Sequence, residues 1–536
     1  MTDLPVDLLR WALAIAPIVL LLVLLAVLRW QAPEAGPVGL LVGAAIAVLA
    51  FQVPFETLAV AVAKGIWDAV PILYVIFPAL LLYRLGTAAG AFAALRRGIQ
   101  AYSRDETFLV LAFGWVLASF LQGIAGFGAP IAVCAPLLVA IGVRPVYAVA
   151  IPLIGHAWAN MFGTLAVGWL ATLQVVDIED ETATAALTAL LLWIPNITAG
   201  LTIAWLVGRT PALVHALPMV GVISLIHGGG QLALAFVSPV LCTFLAATAA
   251  LVALYPLSRW EKYGERADLD ELPAMADTDD AAEADDPEPV MGLGWALAPY
   301  GVLTVVAVAT LVIAPVEEAL ERLSVGLPFP EVTTGFGVVT EAEDAYQSFE
   351  PLTHPGTYLL VAVAAAYLMY RRRGDFAQWR ERADPKPVLA STAGDAVPAA
   401  AAVVSFLVLA QVLEHSGQTD VLALGIAAVA PAAVFAALSN VIGVVGAFMT
   451  SSNTASNVLF SQLQDGVAAE EGLSQSAVIA AQSTGGAIGN AIAPANIVLG
   501  TSTAGASGKE GEVLRMTLPW VGAVAVLVGL ATIPLA

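Results

Sequence analysis

Apolar stretches long enough to cross a membrane alternate with short polar stretches along nearly the whole chain. About 18 to 20 apolar residues cover the roughly 30 Å hydrocarbon layer of a bilayer, so the pattern predicts about twelve to fourteen crossings. Shorter apolar pieces at 130–141 and 441–449 are typical of hairpin arms. The candidate spans are 11–28, 37–53, 70–82, 108–121, 146–173, 188–207, 212–226, 232–254, 291–314, 357–370, 398–413, 421–438, 477–500 and 517–535.

Two apolar stretches are interrupted by small and polar residues, and the interruptions resemble each other. The first is SFLQGIAGFGAPIAV at 119–133, and the second is AFMTSSNTASNVLF at 447–460. Aligning Phe120 with Phe448 gives an offset of 328, and the spans that follow open at Ala148 and Ala477, an offset of 329. Duplicated interrupted segments are typical of transporters. We therefore predict an all-α polytopic membrane protein of two inverted repeats, each with a re-entrant hairpin and a broken helix.

The composition also places the chain in a lipid bilayer. Hydrophobic residues make up 59% of the chain, charged residues 12%, and the mean hydropathy is +0.86, values that exclude a soluble surface. We expect a multi-pass protein of the cell membrane with no nucleic-acid partner. Cys134 and Cys242 lie singly in apolar runs, which favours packing over a disulfide or a metal site. The sequence carries no signal for the oligomeric state.

Arginines are concentrated in a few loops, which the positive-inside rule assigns to the cytoplasm. They include the loop at 84–104 and the cluster at 371–373. The assignment is consistent only if 108–141 enters and leaves on one side, as a hairpin does. It places the N-terminus and the acidic loop 315–355 outside. We predict a first transmembrane half at 1–258, an acidic, disordered cytoplasmic linker at 259–290, and a second transmembrane half at 291–536.

The net charge of −21 comes mainly from acidic residues in the loops. Carboxylate-rich surfaces stay hydrated at high salt, so one interpretation is a protein from a halophile. The other is an acidic loop that binds a cation. Charge runs are usually solvated surfaces, which favours the first interpretation.

The two interruptions supply candidate substrate-binding residues. Each glycine weakens a helix and Pro130 lacks an amide donor, so backbone polar groups are freed for protein, water or a ligand. Close helix packing is the alternative explanation for the glycines. The second interruption has more donors and acceptors than packing requires. The candidates are Gln122, Gly123, Gly126, Phe127, Gly128, Ser451, Ser452, Asn453, Thr454, Ser456 and Asn457.

The spans that follow the hairpins place further polar residues inside the membrane. Half-helices that begin at such breaks direct amide groups, with roughly half a positive charge, at the cavity between them. The hairpins and broken spans contain no Lys or Arg, so dipoles, hydroxyls and amides would hold a carboxylate, with no cofactor or metal. The candidates are Ser483, Thr484, Asn490 and Asn496 for the substrate, and His156 and Asn160 for coupling.

Two interpretations of coupling stay open. His156 can change charge near neutral pH, but a neutral histidine hydrogen-bonded between helices also fits the pattern. Alternatively, oxygen ligands near Ser452 and Asn453 can hold sodium.

Other protein classes fit parts of the pattern. The segment His227-Gly228-Gly229-Gly230 is similar to an esterase oxyanion loop, but no G-x-S-x-G motif accompanies it, which favours a turn between two spans. A channel is a second alternative, although channel filters usually recur around a symmetric ring. A transporter of other organic or inorganic anions would need more cationic residues than this core contains.

Four segments together resemble the L-lactate permeases, a family that also carries glycolate. They are 119–148, 446–464, 482–500 and 508–520, and the resemblance covers nearly the whole chain outside the acidic linker. It implies a secondary active transporter that imports L-lactate or a related 2-hydroxy monocarboxylate by cation symport. The proton is the coupling ion that the resemblance implies, and sodium is the alternative.

Two positions depart from the family pattern. Gln122 stands where the family suggests a glutamate, and Asn490 stands where it suggests a lysine. Exchanging a buried ion pair for two neutral amides is nearly neutral in energy. If that glutamate carries the proton in relatives, this chain must use His156, another group or sodium.

Overall fold

The computed structural model shows a chain that is almost entirely helical. The structure describes residues 4–28, 30–126, 128–267, 272–276, 291–377 and 387–536. The helices before the linker are α1 (Leu8–Leu22), α2 (Ala32–Ala50), α3 (Phe55–Ala89), α4 (Ala91–Gln100), α5 (Glu106–Ile124), α6 (Ala129–Ala140), α7 (Pro145–His156), α8 (Gly163–Leu173), α9 (Glu181–Ala235), α10 (Cys242–Ser258) and α11 (Glu261–Gly264).

The second half continues the same pattern. Its helices are α12 (Leu293–Val312), α13 (Ala314–Leu320), α14 (Pro355–Arg373), α15 (Val388–His415), α16 (Gln418–Ala427), α17 (Ala432–Thr450), α18 (Asn453–Glu471), α19 (Gln475–Gly489), α20 (Pro494–Thr503) and α21 (Glu510–Thr532). Short 3₁₀ or π turns at Val23–Val27, Ala112–Leu117, Ala157–Ala159, Leu225–Gly229, Pro239–Leu241 and Asn490–Ile492 extend or interrupt them.

Ten helices in the described part of the chain are long and apolar enough to cross a membrane. The helices at Pro145–Ala159 and Gly163–Leu173 meet at 54° and would make an eleventh span. Helix α9 has 55 residues and is about 80 Å long, too long for one crossing, and it is broken at Gly208 and Arg209. Counting its two parts separately adds one span, which reaches the lower end of the predicted number.

Three sequence-based boundaries differ from the structure. The span predicted at 70–82 is part of α3, which has 35 residues and begins at Phe55. The span predicted at 421–438 is wrong, because α16 ends at Ala427 and α17 begins after Pro431, which cannot donate a helical hydrogen bond. His227 lies inside α9 rather than in a turn between spans, with its ring 4.6 Å from that of Trp158.

The acidic loop after α13 is folded, so the chain is not purely α-helical. Its strands are β1 (Val325–Phe329), β2 (Val332–Thr333), β3 (Val339–Thr340) and β4 (Glu343–Phe349), paired β1 with β4 and β2 with β3, all antiparallel. Phe329, Val332 and Tyr346 pack on Val60 of α3. We call residues 325–349 the cap. Thr57 Oγ1 donates to Thr333 O at 3.2 Å, so the start of α3 and the cap lie on the same side.

Part of the predicted disordered linker is ordered. In the described segment 272–276, Arg144 N donates to Ala274 O at 2.8 Å and Ala276 N donates to Gly142 O at 2.7 Å. The backbone thus pairs with the loop between α6 and α7, which explains why this short piece departs from the prediction. Residues 268–271 and 277–290 lie outside the described residues.

The two halves share one packing feature, a glycine at a close helix contact. A Cβ on Gly155 of α7 would lie 2.0 Å from Gly114 O of α5, and a Cβ on Gly485 of α19 would lie 1.8 Å from Asn440 O of α17. Gly485 lies 330 residues after Gly155, close to the offset between the two interrupted segments. In each half, therefore, a glycine lets the first arm of the broken helix contact the backbone of the first hairpin arm.

Candidate functional site

Two helix-break-helix hairpins form the frame of the site. In the first, α5 and α6 are separated at residues 125–128, and a Cβ on Gly114 would lie 3.5 Å from Leu138. In the second, α17 and α18 are separated at residues 451–452, Ser456 Oγ donates to Gly443 O at 2.9 Å, and Gln464 Nε2 donates to Ser439 O at 3.0 Å. The paired residues run in opposite directions along the chain, so the arms of each hairpin are antiparallel.

The breaks of the hairpins and of the broken helices lie together. Gly126 N donates to Thr164 Oγ1 at 2.8 Å, which joins the first hairpin to the first broken helix, α7 and α8. Ala495 N donates to Ser451 Oγ at 3.3 Å, which joins the second hairpin to the second broken helix, α19 and α20. We call this region, residues 122–126, 128, 156–166, 451–457 and 483–496, the candidate site.

A chain of three asparagine amides links the two broken helices. Asn496 Nδ2 donates to Asn490 Oδ1, Asn490 Nδ2 donates to Asn160 Oδ1 at 3.0 Å, and Asn160 Nδ2 donates to Ala487 O at 3.2 Å. Asn160 and Asn490 are buried, whereas Asn496 is half-buried and the neighbouring Ala495 is exposed. The amide chain therefore runs from an accessible end into the protein interior.

The second hairpin contributes one anchored amide and one free acceptor. Asn457 Nδ2 donates to Thr172 Oγ1 and to Met161 Sδ, both at 3.1 Å, so its position is fixed by α8 and the first break. Asn453 Nδ2 lies 3.6 Å from Met161 Sδ. Its Oδ1 is buried and, among the described residues, has no hydrogen-bond partner. A buried unsatisfied acceptor is costly, so this oxygen is a candidate ligand for a hydroxyl or a cation.

The first broken helix is strained where it meets the site. Thr164, Leu165 and Ala166 all have left-handed backbone conformations, with φ of 50°, 53° and 65°. A left-handed non-glycine residue costs about 1 to 2 kcal/mol, and such strain is concentrated at functional sites. All three residues are buried, so packing holds them in place.

Several candidates have structural roles instead. A Cβ on Gly123 would lie 3.0 Å from Phe244 Cα of α10, so this glycine permits helix packing, the alternative explanation given above. Gly128 has φ of +84° and turns the chain into α6. Ser452 Oγ caps α18 by accepting from Ala455 N at 3.2 Å. Ser456 joins the arms of its hairpin.

The remaining candidates are buried at or beside the site. Gln122 lies against Gly126 and Gly163, where a Cβ would be 2.9 Å from its Nε2 in each case. Ser483 Oγ accepts from Asn457 Nδ2 at 3.5 Å. Thr454 is buried, and Thr484 Oγ1 is buried without a partner among the described residues. Phe127 lies outside the described residues.

His156 ends α7 next to the first break. Its Nδ1 hydrogen-bonds Pro152 O in its own helix at 2.5 Å, and the side chain is buried. The contact lies within one helix rather than between helices, and it fits a histidine that stays neutral.

Three side chains that contribute to the site were not predicted from the sequence. Met161 and Thr164 lie beside Asn160 in the same broken span, so the break itself was a signal for them. Thr172 lies in an apolar run, and no local pattern indicates its contact with Asn457.

Interrupted membrane helices that meet at a polar site without Lys or Arg are the architecture of a membrane transporter. The chain is a multi-pass protein of the cell membrane. The profile of the L-lactate permease family matches residues 11–536, and the chain belongs to this family. Its relatives are permeases, and it is not an enzyme.

Individual relatives match over nearly their full length. An L-lactate permease of Halalkalibacterium halodurans is 28% identical over 95% of this chain and 93% of its own length. The glycolate permease GlcA of Escherichia coli K12 is 28% identical over 97% of this chain and 94% of its own length. A solved structure, the Alcanivorax borkumensis YdaH transporter with an unusual topology, covers 89% of this chain and 87% of that chain, with a TM-score of 0.43 and 14% identity.

Proposed function

We propose that the protein imports L-lactate, glycolate or a related 2-hydroxy monocarboxylate by symport with a cation. Family membership supports the substrate class, since the relatives above are named as L-lactate and glycolate permeases. The observation that carries the proposal is the meeting of four helix breaks at a site lined by asparagine and serine side chains.

This site is suited to a small anion that also bears a hydroxyl group. Helices α18 and α20 begin at the breaks, where the positive end of the helix dipole favours a carboxylate. The acceptor Asn453 Oδ1 lacks a partner among the described residues and can receive the 2-hydroxyl group. A dicarboxylate would bring a second negative charge to a region without Lys or Arg, which favours a monocarboxylate.

An inverted repeat is part of the proposal. The two broken helices touch at their breaks through Asn160 and Asn490. Beyond the end of α8, Glu179 N donates to Gln475 Oε1 at the start of α19, at 3.0 Å. The end of one broken helix therefore meets the start of the other, and the two run in opposite directions. Opposed, matching elements around a central site suit alternating access.

The coupling ion is proposed to be the proton, with sodium as the alternative. Sodium coupling would use oxygen ligands near Ser452 and Asn453. Proton coupling requires an ionisable group in the spanning region. His156, with Asn160 beside it, is the candidate within the site.

Accumulation by purified protein in lipid vesicles tests the proposal. Inward proton and sodium gradients are imposed separately on vesicles supplied with labelled L-lactate. The proposal predicts accumulation above the external concentration under the proton gradient. Accumulation under the sodium gradient alone would support the sodium alternative, and equilibration under both gradients would contradict symport.

A further inference from the structure

A second group of ionisable residues lies outside the candidate site, between α3, α15 and the cap. Asp68 is 0% exposed and Lys64, one helical turn earlier, is 2% exposed. Gln411 of α15 and Tyr346 of β4 lie against Asp68. A Cβ on Gly65 would be 2.5 Å from Val408 Cα, so α3 and α15 approach each other very closely at this level. We call Asp68, Tyr346 and Gln411 the Asp68 triad.

Asp68 has polar neighbours but no ion-pair partner among the described residues. Lys64 Nζ pairs with Glu343 Oε1 at 2.8 Å instead. Asp68 Oδ2 accepts from Gln411 Nε2 at 2.9 Å and from Tyr346 Oη at 3.2 Å, and Asp68 Oδ1 is buried with no partner in the described part of the chain. A buried carboxylate without a cation is costly, which favours the neutral acid.

Tyr346 and Gln411 can hydrogen-bond Asp68 in both of its protonation states. Burial and the nearby Asp68 carboxyl raise the pKa of the Tyr346 phenol far above its usual range, so this hydroxyl keeps its proton. Gln411 Nε2 also donates to Tyr346 Oη at 2.8 Å, so the three groups contact each other pairwise. When Asp68 is ionised, the amide NH₂ and the phenol both donate to Oδ2. When Oδ2 is protonated, a half-turn of the amide presents Gln411 Oε1 as its acceptor.

Other charged groups define the surroundings of Asp68. Helix α3 contributes Lys64, and α15 contributes Glu414 and His415. The cap contributes Glu343, with Glu341 and Asp344 close to it in the sequence. Helix α8 carries no ionisable residue, and α14 meets α3 beyond Asp68, where Tyr74 Oη lies 2.7 Å from Thr357 Oγ1. The positive-inside assignment puts the exposed carboxylates of the cap outside, on the side from which the coupling proton would enter.

The cap also touches a helix of the candidate site. Gln347, next to Tyr346, has a left-handed backbone with φ of 38°, and its Nε2 donates to Leu173 O at the end of α8 at 3.5 Å. The same helix begins at Gly163, and its second residue, Thr164, accepts the hydrogen bond from Gly126 N at the tip of the first hairpin. A change at Tyr346 can therefore bias the position of α8.

We propose that Asp68 binds the coupling proton on the outer side of the protein, and that Tyr346 and Gln411 stabilise both of its protonation states. The proposal rests on the proton symport proposed above. It assigns the proton to Asp68, which lies outside the candidate site, rather than to His156.

The test compares Asp68→Asn with wild type and the control Asp344→Asn in lipid vesicles. Asp344 is an exposed carboxylate of the same cap. Asparagine imitates the neutral acid but cannot exchange a proton. Asp68→Asn should keep counterflow of labelled L-lactate within about twofold while losing proton-driven accumulation by at least about tenfold. Asp344→Asn should keep both activities, and Asp68→Glu should keep accumulation with a shifted pH profile.

The outcomes separate the two proposals. Wild-type protein that fails to accumulate L-lactate under a proton gradient would overturn the proton symport and this inference with it. Wild-type accumulation together with full accumulation by Asp68→Asn would overturn the inference alone. Loss of counterflow in both Asp68→Asn and Asp68→Glu would also contradict it, because a structural role would then explain the residue.

Discussion

Asn490 Nδ2 donates a hydrogen bond of 3.0 Å to Asn160 Oδ1, across 330 residues of sequence. Each asparagine lies in the break of the broken helix of its own half. The bond therefore joins the two halves at the point where both helices lose their regular hydrogen bonds. The same amide occupies the position at which the family resemblance suggests a lysine, so a neutral contact takes the place of a charged group.

Removing both partners of this bond should destabilise the protein by less than the sum of the two single removals. Asn160→Ala or Asn490→Ala leaves a buried amide unsatisfied, which costs about 1 to 3 kcal/mol. The double variant removes both groups, so its loss should fall short of the sum by about 0.5 to 3 kcal/mol. Melting temperatures of the three variants in detergent measure this coupling. Strictly additive losses would show that the amides act independently.

Substitutions in the second hairpin should weaken substrate affinity. Ser451→Ala and Asn453→Ala remove groups that face the break, and a hydrogen bond to a charged ligand is worth about 1.5 to 3 kcal/mol, so affinity should fall about tenfold or more. Asn457→Ala should also lower stability, because Asn457 is anchored to Thr172. The measurement is the concentration dependence of L-lactate uptake.

Thr188→Ala is the matched control for these variants. Its hydroxyl is buried but bonds Thr184 O within α9 at 2.7 Å, so affinity should stay near wild type. If the hairpin variants transport as well as this control at equal expression, the second hairpin is not part of the site.

The strained turn at Thr164–Ala166 predicts opposite effects of glycine at two positions of α8. Ala166 has φ of 65°, so Ala166→Gly relieves about 1 to 2 kcal/mol of strain, offset by up to about 1 kcal/mol of chain entropy. Ala171→Gly, in the regular part of the same helix, should cost about 1 kcal/mol. Thermal unfolding should rank Ala166→Gly at or above wild type and Ala171→Gly below it. Equal destabilisation by both would argue against the left-handed turn.

Acid should weaken the junction between the cap and α14 through His354. His354 Nδ1 accepts from Gly356 N at 3.4 Å at the start of α14, and burial lowers the pKa of His354 to about 4. In the unfolded chain His354 becomes protonated near pH 6.5, whereas in the folded protein it stays neutral down to about pH 4. The contribution of neutral His354 to stability is therefore complete above pH 6.5 and falls as the pH drops toward about 4.

The variant His354→Asn isolates this effect because asparagine can cap a helix but does not titrate. Between pH 7 and pH 5, wild type should lose about 2 kcal/mol more than the variant. Melting curves at the two pH values measure the difference. Parallel losses in both proteins would assign the acid sensitivity to other groups.

Segment-level features were predictable from the sequence because lipid imposes them. Apolar runs must be helical in a bilayer, and the glycines and polar residues at 125–128 and 451–452 interrupt them where the structure does. The polar character of the site was also predictable from the sequence, because amide side chains such as Asn160, Asn453 and Asn490 are costly inside a membrane span unless they bind a polar partner.

Long-range contacts and backbone strain were not predictable. Asp68 was overlooked because Lys64 and Asp68 interrupt the apolar pattern of α3, although their spacing of one helical turn in KGIWD was a signal. The left-handed turn at Thr164–Ala166 depends on packing from other helices, and no local residue demands it. The fold of the cap was not predictable, because it depends on contacts between the acidic loop and α3. The charged sequence of the loop does not indicate these contacts.

Counterflow of labelled L-lactate tests the central claim most directly. Purified protein is placed in vesicles loaded with unlabelled L-lactate, and labelled L-lactate is added outside with no ion gradient. A transporter with one alternating site predicts a transient accumulation of label above equilibrium, weakened in Asn453→Ala and absent from vesicles that hold no L-lactate. Label that only equilibrates, at a rate independent of the internal substrate, would indicate a channel and would contradict the account.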